Sequence, residues 1–159
     1  MIQRIQTIYL LIAVICMVVC LSLPIGTITV TGSNALNSAI ESMTVYNLWL
    51  TTPSLEHQLT TWPLFLLLIV SSSLSLFAIG AYKNRLFQSR LCMFASLIIV
   101  GWHIVFAVFS KVLPIAEQGQ SFELRWPAIF PLIALVLLVM ARRAIMADEK
   151  LVRAADRIR

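Results

Sequence analysis

The chain has 159 residues, 60% of them hydrophobic and 12% charged, with a mean hydropathy of +0.91. A soluble domain of this size cannot bury so much apolar surface, so a water-soluble globular fold is excluded. The formal net charge of +5 suggests a nucleic-acid partner only until the charges are placed. Arg4, Lys83, Arg85, Arg90, Arg142, Arg143, Lys150, Arg153, Arg157 and Arg159 flank the ends of apolar runs on one side. On the other side stand Lys111 and Arg125, against Glu41, Glu56, Glu117 and Glu123. This is the positive-inside asymmetry of a multi-pass membrane protein with both termini in the cytoplasm. The partner it implies is the lipid bilayer, not nucleic acid.

The first apolar run, residues 5–23, has the length of about 20 residues that a helix needs to cross a bilayer. No small-x-small cleavage site precedes Pro24, and the residues before Cys20 are bulky, so the run reads as a retained span and not a signal peptide. Pro24 and Gly26 end it and open an external loop, 24–61, which carries no Lys or Arg. Within that loop Thr27-Ile28-Thr29-Val30-Thr31 alternates at period two and predicts a strand, Ser33 to Ser38 a turn, and Met43-Thr44-Val45-Tyr46 a second strand. Pro63 suits the first turn of the second helix.

The second run, 62–82, holds Ser71-Ser72-Ser73-Leu74-Ser75 at its centre. Ser71 and Ser75 form a small-xxx-small pair for close helix packing, with Ala95, Ser96 and Gly101 of the third run as the facing surface; a polar substrate path is the alternative. The short basic connection from Lys83 to Arg90 predicts a tight hairpin into the third run, 91–112. In the external loop 113–127, Phe122-Glu123-Leu124-Arg125-Trp126 alternates strictly and predicts a third strand with Glu123 and Arg125 on its polar face. Trp49 and Trp126 are placed to anchor such a cap at the membrane surface. After the fourth run, 128–147, the pattern stays helical through the tail 148–159. There Leu151, Ala155 and Ile158 continue the stripe of Ala144 and Ala147, and Arg153 pairs with Glu149 and Asp156.

Within the spans His103 is the one group that titrates near neutrality, which makes it a functional candidate by default. Ser71, Ser72 and Ser73 lie at similar depth, and a hydrogen bond from one of them to a neutral imidazole is a packing contact between helices. With no carboxylate in any span, that structural role is the stronger reading over a proton relay. Cys16 and Cys20 share a helix face, but with His103 they supply only three ligands on two helices, so no metal is expected. No cysteine lies in a loop, which removes a structural disulfide and disulfide-generating chemistry. His57, beside Glu56, reads as a solvated loop residue. No phosphate-binding loop, dinucleotide fingerprint, nucleophile elbow or zincin motif occurs, so no catalytic residue and no cofactor are assigned.

Two segments carry a resemblance. Met1-Ile2-Gln3-Arg4-Ile5-Gln6-Thr7-Ile8-Tyr9-Leu10-Leu11 opens the chain, and Ala141-Arg142-Arg143-Ala144-Ile145, Asp148-Glu149-Lys150-Leu151-Val152-Arg153 and Ala155-Asp156-Arg157-Ile158-Arg159 close it. Both resemble an uncharacterised family of small four-helix membrane proteins from Bacteroidota, known as a domain of unknown function. The resemblance implies the inner membrane of a Gram-negative bacterium and supplies no activity. Members of such a family sometimes carry the name of transcription termination factor Rho, which this chain, lacking a P-loop and an RNA-binding surface, does not support. A looser architectural likeness to claudins, through Asn47-Leu48-Trp49, lacks their paired loop cysteines and supports only an external sheet.

The sequence therefore predicts an all-α membrane fold: an antiparallel bundle of four transmembrane helices, a small external β-sheet cap from the first and third loops, and a cytoplasmic extension of the fourth helix. The expected function is a non-enzymatic accessory or scaffold subunit of an envelope complex, binding a membrane-protein partner or its own copies. Contacts are assigned to Tyr46, Trp49, Phe122 and Trp126 on the cap, and to Arg142, Arg143, Leu151 and Ile158 on the tail. The alternative is a small transporter or lipid-handling protein using His103 and the serine face.

Overall fold

The computed structural model describes residues 2–31, 40–52, 56–82, 84–116 and 121–156. Four helices dominate: α1 (Ile2–Ser22), α2 (Trp62–Gly80), α3 (Arg85–Ala116) and α4 (Phe130–Asp156). Each holds a segment long and apolar enough to cross a membrane, the build of a multi-pass membrane protein. α1 packs against α2 and α4, and α3 packs against the same two helices. All the strands among the described residues lie in the first and third connections, so the helices alternate in direction and the sheet covers one end of the bundle.

Both faces of these helices are apolar. Leu10, Met17, Leu64, Leu68, Ile99, Trp102 and Leu138 are buried in the centre, while Leu11, Phe77, Leu97, Ile104 and Val136 point outward and are exposed. A helix in water would carry charge on that outer face, whereas hydrocarbon accepts this one without cost.

The sheet has five antiparallel strands in the order β4-β3-β2-β1-β5, with β1 (Gly26–Thr31), β2 (Ile40–Val45), β3 (Leu50–Thr51), β4 (His57–Gln58) and β5 (Ser121–Leu124). The three strands expected from periodicity are present, and β3 and β4 are additional. Ile28 stands opposite Met43 on β2 and Phe122 on β5, and these three side chains pack toward the helices. The register of β5 is pinned by the hydroxyls of Thr29 and Ser121, 2.8 Å apart. The third strand stops earlier than predicted: Trp126 opens a 3-10 turn, Trp126–Ile129, where Pro127 favours a helical start.

Helix α3 also differs from its predicted bounds. It begins at Arg85, not Leu91, because the Asn84 carbonyl accepts the Gln88 N–H (2.9 Å) and the connection shrinks to the turn after α2. Its 32 residues make a rod of about 48 Å, longer than the roughly 30 Å hydrocarbon layer. Arg85, Gln88 and Arg90 extend it at the end away from the sheet, where Arg85 Nη1 meets Asp148 Oδ2 of α4 at 3.0 Å. Helix α4 does run past its apolar segment as expected, through Asp156. The turn assigned to 33–38, and Arg157, Ile158 and Arg159, lie outside the described residues, as does the side chain of Arg153.

Candidate functional site

The groups singled out inside the spans do not assemble as anticipated. The expected hydrogen bond between His103 and the serine run is absent: Nδ1 of His103 lies 2.8 Å from the Ile99 carbonyl, one turn back on its own helix. That bond places the proton of a neutral imidazole on Nδ1 and leaves Nε2 buried without a partner among the described residues. The ring stands edge-on to Trp102, centroids 5.1 Å apart.

The serines are engaged elsewhere. Ser71 Oγ donates across the interface to the Ala95 carbonyl of α3 (3.1 Å), Ser75 donates to the Ser71 carbonyl (2.9 Å) and Ser72 to Ile69 (2.9 Å). Ser71, Ser72 and Ser75 are buried and Ser73 is exposed. Backbone carbonyls lie nearer to these hydroxyls than the imidazole does, and in hydrocarbon each hydroxyl takes the closest acceptor. The run therefore serves close approach of α2 and α3. Cys16 is partly buried and Cys20 fully so, and the described residues hold no group of three His, Cys, Asp or Glu able to bind a metal.

The polar centre of the molecule lies instead at Asn47, in the turn after β2, with no exposed surface. Its origin is local. In α1 the carbonyl of Cys20 would receive the N–H of residue 24, but that residue is Pro24, which has none. Asn47 Nδ2 supplies the missing donor at 2.7 Å and lies 3.6 Å from the Cys20 sulfur. Its Oδ1 accepts the indole N–H of Trp102 at 3.2 Å. One side chain from the turn after β2 thus ties α1 to α3. Beside it, Thr61 at the start of α2 donates to the Tyr46 carbonyl (2.8 Å), so the same turn is also held to α2. The indole of Trp102 stacks on Phe106 (5.0 Å), which meets Phe122 of β5 edge-on (6.0 Å). Sequence reasoning assigned Asn47 no such role; the signal available was Pro24, four residues after Cys20.

The predicted contact residues divide. Phe122 turns inward: a Cβ on Gly26 would collide with its ring, so glycine is the residue that lets the ring lie over β1. Tyr46 and Trp49 are half-buried and form an aromatic row with His57, each neighbouring pair at 5.6 Å. His57 lies in β4, its Nδ1 3.4 Å from Thr51 Oγ1, and not in a loop. Trp126 is exposed against Phe130 at 5.5 Å. Like Trp62 at the start of α2, it is exposed at the sheet end of the bundle. At the opposite end Arg142 and Arg143 are exposed on α4, and Leu151 is 62% exposed.

This arrangement defines a class: a four-helix protein of membrane-spanning build whose sheet is locked onto one end of the bundle. Within that class the chain belongs to the family described as Domain of unknown function (DUF4293), which matches residues 2–158. No curated protein matches it.

Proposed function

We propose that this protein is a non-enzymatic scaffold subunit of an envelope complex, lying in the bacterial inner membrane with both termini in the cytoplasm and the sheet outside. The orientation rests on the cationic residues: among the described ones Arg85, Arg90, Arg142, Arg143 and Lys150 lie at the end away from the sheet. One observation carries the scaffold reading: Asn47 and Thr61 join the turn beneath Tyr46 and Trp49 to three helices. A cap that merely closed a loop would not need that attachment. Held this way, the aromatic row is a surface with little conformational entropy to lose on binding, which favours a protein partner. The cytoplasmic end of α4, where Leu151 and Val152 are exposed, is the second contact surface.

The test is co-purification of the tagged protein from its own membranes in mild detergent, with mass spectrometry of what accompanies it. A stoichiometric partner that is lost in Trp49→Ala or Leu151→Asp, both still inserted, is the expected result. Recovery of the wild-type protein without partner or second copy would refute the scaffold reading.

A further inference from the structure

At the end of the bundle away from the sheet, α1, the turn after α2 and the start of α3 line an open cavity of ≈ 480 Å³. Gln6 lines it and is only 4% exposed, and its Nε2 is buried with no hydrogen-bond partner among the described residues. A buried donor in this state calls for an acceptor. Gln88, 3% exposed, brings a second carboxamide to the same wall. Arg85 supplies the charge. Both of its contacts with Asp148, to Oδ2 at 3.0 Å and to the carbonyl at 3.4 Å, use Nη1. Among the described residues Nη2 and Nε have no partner, and they remain for a ligand. Asp148 is not part of the lining, and neither is any other carboxylate among the described residues.

The mouth has the opposite character. Ile8 and Leu11 are about half exposed, and Ile15 and Val18 continue the same outward ridge of α1 at helical spacing. The Tyr82 ring, also exposed, closes the side of the opening. A ligand that satisfies both parts has oxyanion acceptors at one end and hydrocarbon at the other. We infer that this cavity binds one anionic phospholipid, its phosphate against Gln6, Gln88 and Arg85 and an acyl chain along Ile8, Leu11, Ile15 and Val18. The site is separate from the cap and does not depend on the cap's binding a partner.

The experiment uses the full chain in mild detergent after lipid removal, with three probes: dioleoylphosphatidylglycerol, dioleoylglycerol with the same tails and no phosphate, and inorganic phosphate. The expected result is a rise in melting temperature with phosphatidylglycerol alone. Gln6→Leu, whose folding is checked by its own melting curve without lipid, should weaken that binding by about tenfold or more, the worth of a hydrogen bond to a charged group. Leu11→Trp fills the mouth without touching Gln6 and should also abolish the shift, which keeps the test decisive if Gln6→Leu does not fold. Equal protection by dioleoylglycerol would reduce the site to an apolar groove and overturn the inference. Equal protection by inorganic phosphate would make it a soluble-anion site and overturn it too, as would unchanged phosphatidylglycerol binding in both variants.

Discussion

Two buried carboxamides, one at each end of the bundle, show how differently the same chemical group can be used. Asn47 at the sheet end has partners for both its nitrogen and its oxygen, the Cys20 carbonyl and the Trp102 indole. Gln6 at the other end has a buried amide nitrogen with no partner among the described residues, and the residue lines a cavity. A satisfied amide in a low-dielectric interior holds its neighbours together, while an unsatisfied one costs free energy until a ligand arrives. The sheet end is thus built for rigidity, and the other end is built to receive something.

The sharpest way to break this contrast is Asn47→Leu. It strands the Cys20 carbonyl and the Trp102 N–H together, at a cost of about 3 kcal/mol. For a chain of this size that lowers the melting temperature by about 10 °C in detergent; a fall of under about 2 °C would mean that Asn47 does not hold the sheet to the helices. Next comes Gly26→Ala, where the new methyl meets the Phe122 ring and overpacking costs roughly 1–3 kcal/mol. Combining it with Phe122→Leu should recover most of the loss in a double-mutant cycle, and independent losses would mean the two do not touch. Ser71→Ala, which removes the bond to Ala95 across the helix interface, should cost about 0.6 kcal/mol. The exposed Ser73→Ala serves as its silent control, and equal effects from the pair would dismiss the packing role of Ser71. Smallest and opposite in sign is Gln6→Leu in lipid-free detergent, which removes an orphaned donor and should leave stability unchanged or raise it by up to about 1 kcal/mol. A clear destabilisation there would show that Gln6 has a structural partner after all.

Much of the architecture was readable from periodicity. The four apolar runs each correspond to a helix, and the alternating segments around Ile28, Val45 and Phe122 are strands. What periodicity misses has physical causes. β3 and β4 contain two residues each, too few to express a period of two. Helix α3 starts six residues before its apolar run because polar residues such as Gln88 and Arg90 continue a helix where it leaves hydrocarbon, and apolarity measures the membrane and not the helix. The pairing of His103 with the serines failed because equal depth does not imply facing sides, and a carbonyl one turn away is always within reach. Asn47 was half legible: Pro24 announces an orphaned carbonyl at Cys20, but nothing local says that the donor comes from 27 positions away.

The sequence separations in the cap also set an order of assembly. β1 meets β2 early, since they are neighbours in the sequence, but the Thr29–Ser121 bond that fastens β5 spans 92 positions, and Trp102 reaches Asn47 across 55. Contacts of that range close late, after the intervening chain is in place. Helices that enter a bilayer in chain order therefore leave the indole acceptor of Asn47 vacant until α3 has inserted, and one edge of β1 open until α3 is complete. A chain stalled after two helices carries an unpaired strand edge, the feature that makes folding intermediates prone to misassembly. The cap is thus the last part of the molecule to close, and its closure reports that three helices have entered in the correct order.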